Sequence, residues 1–352
     1  MPLMADGRRM PDHFTARGSA LKLKTLGDLR MSPQCVRIAL INNMPDAALE
    51  DTESQFFDLL AAAAAEMAVH VGLYSLPEVP RGERAKRHVA NYYRAIEELW
   101  GSRVDGIIIT GTEPRQRDLR QEPYWGSLST LFEWAESNTK STVLSCLAAH
   151  AGVLHSDGIE RHPLQQKKFG VFDQIVARPH ALTEHIAAPL SFPHSRWNGV
   201  RQEDLSAAGY TILTTSAETG PDLFVKKKRQ SLFVHFQGHP EYGARTLLKE
   251  YRRDIGRFLK KERDDYPAMP HSYFDSESAT MLANFRANAE SNRTPELLPT
   301  FPEEELGRRL QHRWRAAATG IYGNWLRYVA ARKIDAPRLA TAASASCRAR
   351  PY

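Results

Sequence analysis

The sequence predicts a doubly wound, mostly parallel α/β sheet flanked by helices, with a helical extension at the C-terminus. Two observations carry this expectation. Short apolar runs rich in branched residues recur at 36–41, 69–74, 105–110 and 142–145, and continuous runs of that kind suit strands buried on both faces. Each run is followed by helical patterning, and strands alternating with helices build a parallel sheet.

Taken in order, residues 1–33 lack periodicity and read as a loosely ordered lead-in to a single domain over 34–335. The first strand, VRIALI, runs into the loop Asn42-Asn43-Met44-Pro45. Thr52 with Gln55 forms a capping-box pattern ahead of Phe56, Phe57, Leu59 and Leu60, which predicts a helix starting there. A helix is expected over 84–100, and another over 124–137 with Trp125, Phe132 and Trp134 as anchors. Leu147 to Leu154 opens a further helix. Ligands of such sheets bind at the carboxyl ends of strands, which places the loops 42–45, 110–117 and 145–148 around one crevice.

From about 169 the texture changes to short strands at 170–176, 210–215, 222–225 and 231–236. Lys226-Lys227-Lys228-Arg229 reads as a solvated hairpin turn in preference to a phosphate patch. A helix over 244–262 places Leu247, Leu248, Tyr251, Ile255, Phe258 and Leu259 on one face. The stretch 264–306 is polar and Pro-containing and predicts no element, a helix follows over 307–333, and 336–352 read as a disordered tail.

Composition excludes little. The 352 residues carry a net charge of +6, a mild balance that does not select an anionic partner, and no aromatic and basic pattern reads as nucleic-acid binding. Three cysteines, at 35, 146 and 347, argue for a reducing compartment. There is no membrane-length apolar run and no secretory pattern in the first thirty residues, so a cytoplasmic protein is expected. Neither nucleotide-cradling glycine motifs nor clustered metal ligands occur, so no metal and no cofactor are expected.

Cys146 is the sharpest position. It follows a buried strand and precedes the small-residue helix start Leu147-Ala148-Ala149, close to a helix N-terminus that favours the attacking thiolate. The arrangement parallels a nucleophile elbow without its flanking glycines. A buried, inert cysteine is the plain alternative. His239 and Glu241 follow the strand 231–236, where a base could face Cys146 and a carboxylate could fix its tautomer.

Ordered blocks then accumulate. They include Asn43-Met44-Pro45, Thr52-Glu53, Asp105-Gly106, Thr110-Gly111, Tyr124-Trp125, Gly170-Val171 and His180-Ala181-Leu182. The most specific are Pro193-His194-Ser195-Arg196 and Gly238-His239-Pro240-Glu241-Tyr242, and Gly323-Asn324-Trp325-Leu326 closes the series. Through these, residues 35–335 resemble the homoserine O-succinyltransferase family, a branch of the flavodoxin-like, class I glutamine-amidotransferase-like fold. The resemblance implies ping-pong acyl transfer in methionine biosynthesis, from an acyl-CoA co-substrate to Cys146 and on to homoserine, with a homodimer. It makes His239 the base and Glu241 its orienter, and assigns substrate contacts to Lys167, Ser195 and Arg253. Arginine suits the acceptor's carboxylate because its fork makes two hydrogen bonds.

The sequence departs from the family where Asp46-Ala47-Ala48 replaces a lysine-bearing loop and where leucine follows Cys146. It departs also at Arg115, where the family has glycine or glutamate, a choice associated with succinyl or acetyl donor. Arg115 or Arg117 is expected to pair with an anionic acyl group, unless both face solvent. Alternatives are a class I glutaminase-type hydrolase, acyl transfer to another amino alcohol such as serine, and a catalytically silent binding protein.

Overall fold

A computed structural model describes residues 3–5, 35–187 and 190–334. Its main sheet has eight strands in the order β1 (Leu3–Ala5), β3 (Val69–Tyr74), β2 (Val36–Ile41), β4 (Gly106–Ile109), β5 (Ser141–Ser145), β12 (Ser231–Phe236), β11 (Leu223–Lys228) and β8 (Thr211–Ile212). The first six run parallel and the last two turn antiparallel. Chain order reverses between β2 and β4, so the carboxyl ends of these two strands flank the switch point where such sheets hold ligands.

The alternation inside a strand explains the two cores. Ile38 and Leu40 face one layer while Ala39 and Ile41 face the other, all buried, as a two-residue side-chain period requires. On the first face lie α1 (Leu49–Ala64), with Phe56, Phe57, Leu59 and Leu60, and the C-terminal helix α10 (Arg315–Ile334). On the second lie α4 (Trp125–Asn138) and α5 (Leu147–Asp157). Trp325 of α10 packs so closely over β4 that a side chain at Gly106 would meet its ring at 3.1 Å. Its indole N–H donates to Ser141 Oγ at 2.9 Å.

A second, antiparallel sheet of four strands runs β10 (Gly220–Pro221), β9 (Thr214–Ser216), β6 (His162–Val176) and β7 (Leu190–Gly199). β6 begins earlier than its apolar stretch indicates, and β7 was not anticipated because Pro193 lies within it. Proline is tolerated there because β7 is an edge strand.

Other differences have local causes. Helix α1 starts at Leu49, with Thr52 and Gln55 inside it, so the expected capping box is absent and Gln55 reaches Thr246 Oγ1 instead. The span 84–100 is two helices, Glu83–Tyr92 and Glu97–Trp100. The stretch 264–306 is not featureless: it holds α8 (Ser276–Ser291) and α9 (Glu303–Arg309). Asp275 caps α8 by accepting from the Ser278 N–H, and Leu282, Phe285 and Ala289 are its buried face. The helix expected over 307–333 is broken before Arg315, because His312 and Trp314 both turn in to bind the carbonyl of Tyr242. The helix over 244–262 is α7 (Thr246–Leu259), with its six apolar positions buried as expected. The lysine run forms the β11–β12 hairpin, with Lys226 and Lys228 on Asp157. Apart from β1, which pairs with β3, the lead-in and the tail fall outside the described residues.

Candidate active site

Cys146 stands between β5 and α5 with φ +50°, a left-handed conformation that costs a non-glycine residue roughly 1–3 kcal/mol. Its N–H is held by the Phe236 carbonyl at 2.8 Å. The room that flanking glycines would give an elbow comes from elsewhere. A Cβ at Gly111 would lie 2.8 Å from Leu147 Cβ, and one at Gly152 would lie 2.4 Å from Leu144 Cδ1. Unlike Cys35, which is buried, Cys146 is partly accessible. The first N–H groups of a helix have no intrahelical acceptor, which suits the start of α5, beside Cys146, to a developing oxyanion.

β12 delivers the partner. His239 Nδ1 lies 2.8 Å from Glu241 Oε1, which also accepts from Ser145 Oγ at 3.0 Å. Burial opposes charge on His239, but Cys146 and Glu241 together hold its proton affinity well above that of an ordinary histidine. The ring stacks on Tyr242 at 4.2 Å, which fixes its plane.

Behind the His239 loop lies a buried polar knot. Asp222 Oδ1 accepts from the Gly238 N–H at 2.7 Å and stands 3.5 Å from His194 Nε2. Burial raises Asp222 to about 6, against the pull of the Gly238 N–H, Arg196 and His239. Arg196 is buried, tied to the carbonyls of Asn198 and Thr219 at 2.7 and 2.6 Å, and feels the charge of Cys146.

The three substrate contacts expected from the resemblance converge on α7. Ser195 Oγ donates to Glu250 Oε2 at 2.5 Å, and Tyr242 donates to Glu250 Oε1 at 2.7 Å. Lys167 Nζ lies 3.4 Å from Asp254 and 3.9 Å from Glu250. Arg253 lies along Asp254 at 3.3 Å with its side chain 47% exposed, free to meet a ligand. Sequence reading missed Glu250 and Asp254. The signal was present: two acids four residues apart on one helix repel unless cations lie between them.

Arg115 and Arg117 are exposed. What fixes their loop is Glu122 Oε1, which takes the N–H groups of Arg115 and Gln116 at 2.6 Å each. Arg161, also missed, binds the carbonyls of Gln116 and Arg117 at 3.0 and 3.1 Å. Its proton affinity is lowered first by burial, while Tyr124, Glu122 and Cys146 draw the other way. Beneath this loop a pocket of about 280 Å3, including its open mouth, is lined by Asn43, Gly111, Thr112, Tyr124 and Leu147.

A doubly wound, mostly parallel sheet gathers Cys146, His239 and Glu241 at its carboxyl edge. The family model for homoserine O-succinyltransferase matches residues 28–336, and the chain belongs to that family of acyltransferases. It is 44% identical over 299 residues to homoserine O-succinyltransferase of Rhodopseudomonas palustris, covering 85% of this chain and 90% of that one. The same enzyme of Bradyrhizobium japonicum is 46% identical over 306 residues, covering 86% and 93%. Among solved structures, a glutamine amidotransferase from Thermotoga maritima aligns with a TM-score of 0.49 at 15% identity, covering 84% of this chain and 98% of that one. Among the described residues no helix is long and apolar enough to cross a membrane.

Proposed function

We propose that this protein moves a succinyl group from succinyl-CoA to the hydroxyl of L-homoserine, in methionine biosynthesis, through a thioester on Cys146. Membership of the family supports the reaction. The observation that carries the route is the elbow at Cys146, φ +50°, facing a histidine fixed by a buried carboxylate.

The Cys146 thiolate attacks the acyl carbonyl, and the tetrahedral oxyanion forms against the first N–H groups of α5. Collapse breaks the bond to the CoA sulfur, which leaves with the proton His239 holds. Neutral His239 then takes the proton of the homoserine hydroxyl as its oxygen attacks the thioester, and collapse returns the thiolate. Glu241 keeps the His239 ring in the tautomer that presents its other nitrogen to both reactions. Arg253 suits the acceptor's carboxylate, and Glu250 and Asp254 its ammonium, with Lys167 and Ser195 setting the geometry of those acids.

Arg115, exposed on the loop whose first residues, Thr110 to Thr112, line the pocket, takes the distal carboxylate of the succinyl group in this reading. Arg115→Ala then weakens succinyl-CoA relative to acetyl-CoA; an unchanged preference overturns this role. No cofactor is required beyond the CoA ester. A cytoplasmic setting accords with the cysteine usage, and a homodimer is what sedimentation should find.

Intact-protein mass spectrometry with succinyl-CoA, acetyl-CoA or glutamine tests the whole scheme. A gain of one succinyl group that is absent in Cys146→Ala and discharged by homoserine is the expected result. No adduct from either CoA ester sinks it.

A further inference from the structure

Glu241 is only half accounted for by the catalytic constellation. Oε1 takes both of its hydrogen bonds, from His239 and Ser145. Oε2 is buried with no partner among the described residues. An unpartnered carboxylate oxygen in the interior is expensive, because its hydration has been lost without replacement.

A second orphan stands nearby. The Tyr322 hydroxyl of α10 is likewise buried and without a partner among the described residues. Its ring is 1% exposed and stacks on Phe236 at 6.0 Å with an interplanar angle of 17°. Phe236 is the residue whose carbonyl holds the Cys146 N–H, so Tyr322 is seated against the catalytic frame. Burial, and after it the charge of Glu241, keep the phenol protonated. The phenol is therefore a donor, and Oε2 is an acceptor in want of one.

We propose that Tyr322 is a positioning residue of the active site: its hydroxyl donates to Glu241 Oε2 across one bridging water, and so sets how strongly Glu241 holds the proton on His239. This rests on the catalytic reading of Cys146, His239 and Glu241. Besides Tyr322, the titratable groups that face the pair are Cys146 at the elbow, Tyr242 on the same loop, Asp222 before β11 and His194 on β7. None of these donates to Oε2.

The direction follows. A donated hydrogen bond withdraws charge from the carboxylate. Without it, Glu241 attracts the imidazolium proton more strongly, and His239 stays protonated to higher pH. Since His239 must be neutral to accept the homoserine proton, the acid limb of activity moves up.

The test is Tyr322→Phe, which retains the ring stack, measured in two ways. Expected are an upward shift of about one pH unit in the acid limb of kcat/KM for homoserine, and the same shift in the NMR titration of the His239 ring. The ring signal is assigned by its absence in His239→Asn. Thermal unfolding confirms that the variant is folded. A structural role alone would lower Tm and leave both titrations in place, and that result overturns the proposal. A wild-type enzyme that forms no acyl adduct at Cys146 refutes the catalytic reading instead. In that event an unmoved His239 titration still decides the fate of the hydrogen bond.

Discussion

Replacing Asp222 by asparagine changes one thing cleanly: the side chain keeps an oxygen for the Gly238 N–H, 2.7 Å away in the wild type, but can no longer ionise. Asp222 titrates near 6 in the fold against 3.8 for the free group. Because its folded value is raised, the stability linked to its proton is complete below pH 3.8 and is lost as pH rises through 6. At 1.36 kcal/mol per pH unit the loss is about 3 kcal/mol. The stability of Asp222→Asn relative to wild type should therefore climb by that amount between about pH 4 and 6 and level off on either side. Buried histidines such as His150 and His235, each lowered to about 3 by burial, impose the opposite trend on both proteins and cancel in the difference. Urea unfolding at half-unit pH intervals measures it, with the slope m shared so that midpoints report stability. A flat difference curve would refute the claim that this carboxylate is held in a desolvated site.

Three further outcomes follow from packing and hydrogen bonding. Gly111→Ala drives a methyl to within 3.0 Å of the Leu147 backbone nitrogen; it should cost about 1–3 kcal/mol and slow Cys146 acylation about 100-fold through misplacement. Wild-type acylation by rapid-quench mass analysis would count against the elbow. Phe285→Ala in α8, where the ring is 8% exposed, should cost about 3–5 kcal/mol in urea unfolding. A loss below about 1 kcal/mol would mean that this helix does not share the core. Trp325→Phe removes the N–H bond to Ser141 Oγ and should cost about 0.5–1.5 kcal/mol, since the buried serine still donates to the Leu232 carbonyl. A variant that unfolds at the wild-type midpoint would show that bond to be without net value.

The sheet was legible because its strands are short apolar runs buried on two faces, a pattern that polar loops cannot imitate. The positions of Cys146 and His239 were legible for the same reason, since Cys146 follows such a run directly and His239 three residues after another. Helix α8 was not legible, because a surface helix whose buried residues are Ser278, Leu282, Phe285 and Ala289 leaves little periodic apolar signal among its polar residues. β7 escaped notice through Pro193, whose place on an edge depends on pairing that local sequence does not encode. Glu250, Asp254, Arg161 and Tyr322 are isolated polar residues whose meaning comes from what the fold brings opposite them. Arg253 drew notice through the family resemblance alone, and it lies exposed beside Asp254.

The grip of His312 and Trp314 on the Tyr242 carbonyl bears on how the chain is made. Domains fold during synthesis from the N-terminal side, so Cys146 leaves the ribosome well before its base, and the base before the residues that seat its loop. A nascent chain that ends between β12 and Trp314 carries Cys146 and His239 with neither the Trp314 anchor nor the Trp325 wedge over β4. The seating of the His239 loop thus waits on side chains 70 and 72 positions beyond Tyr242.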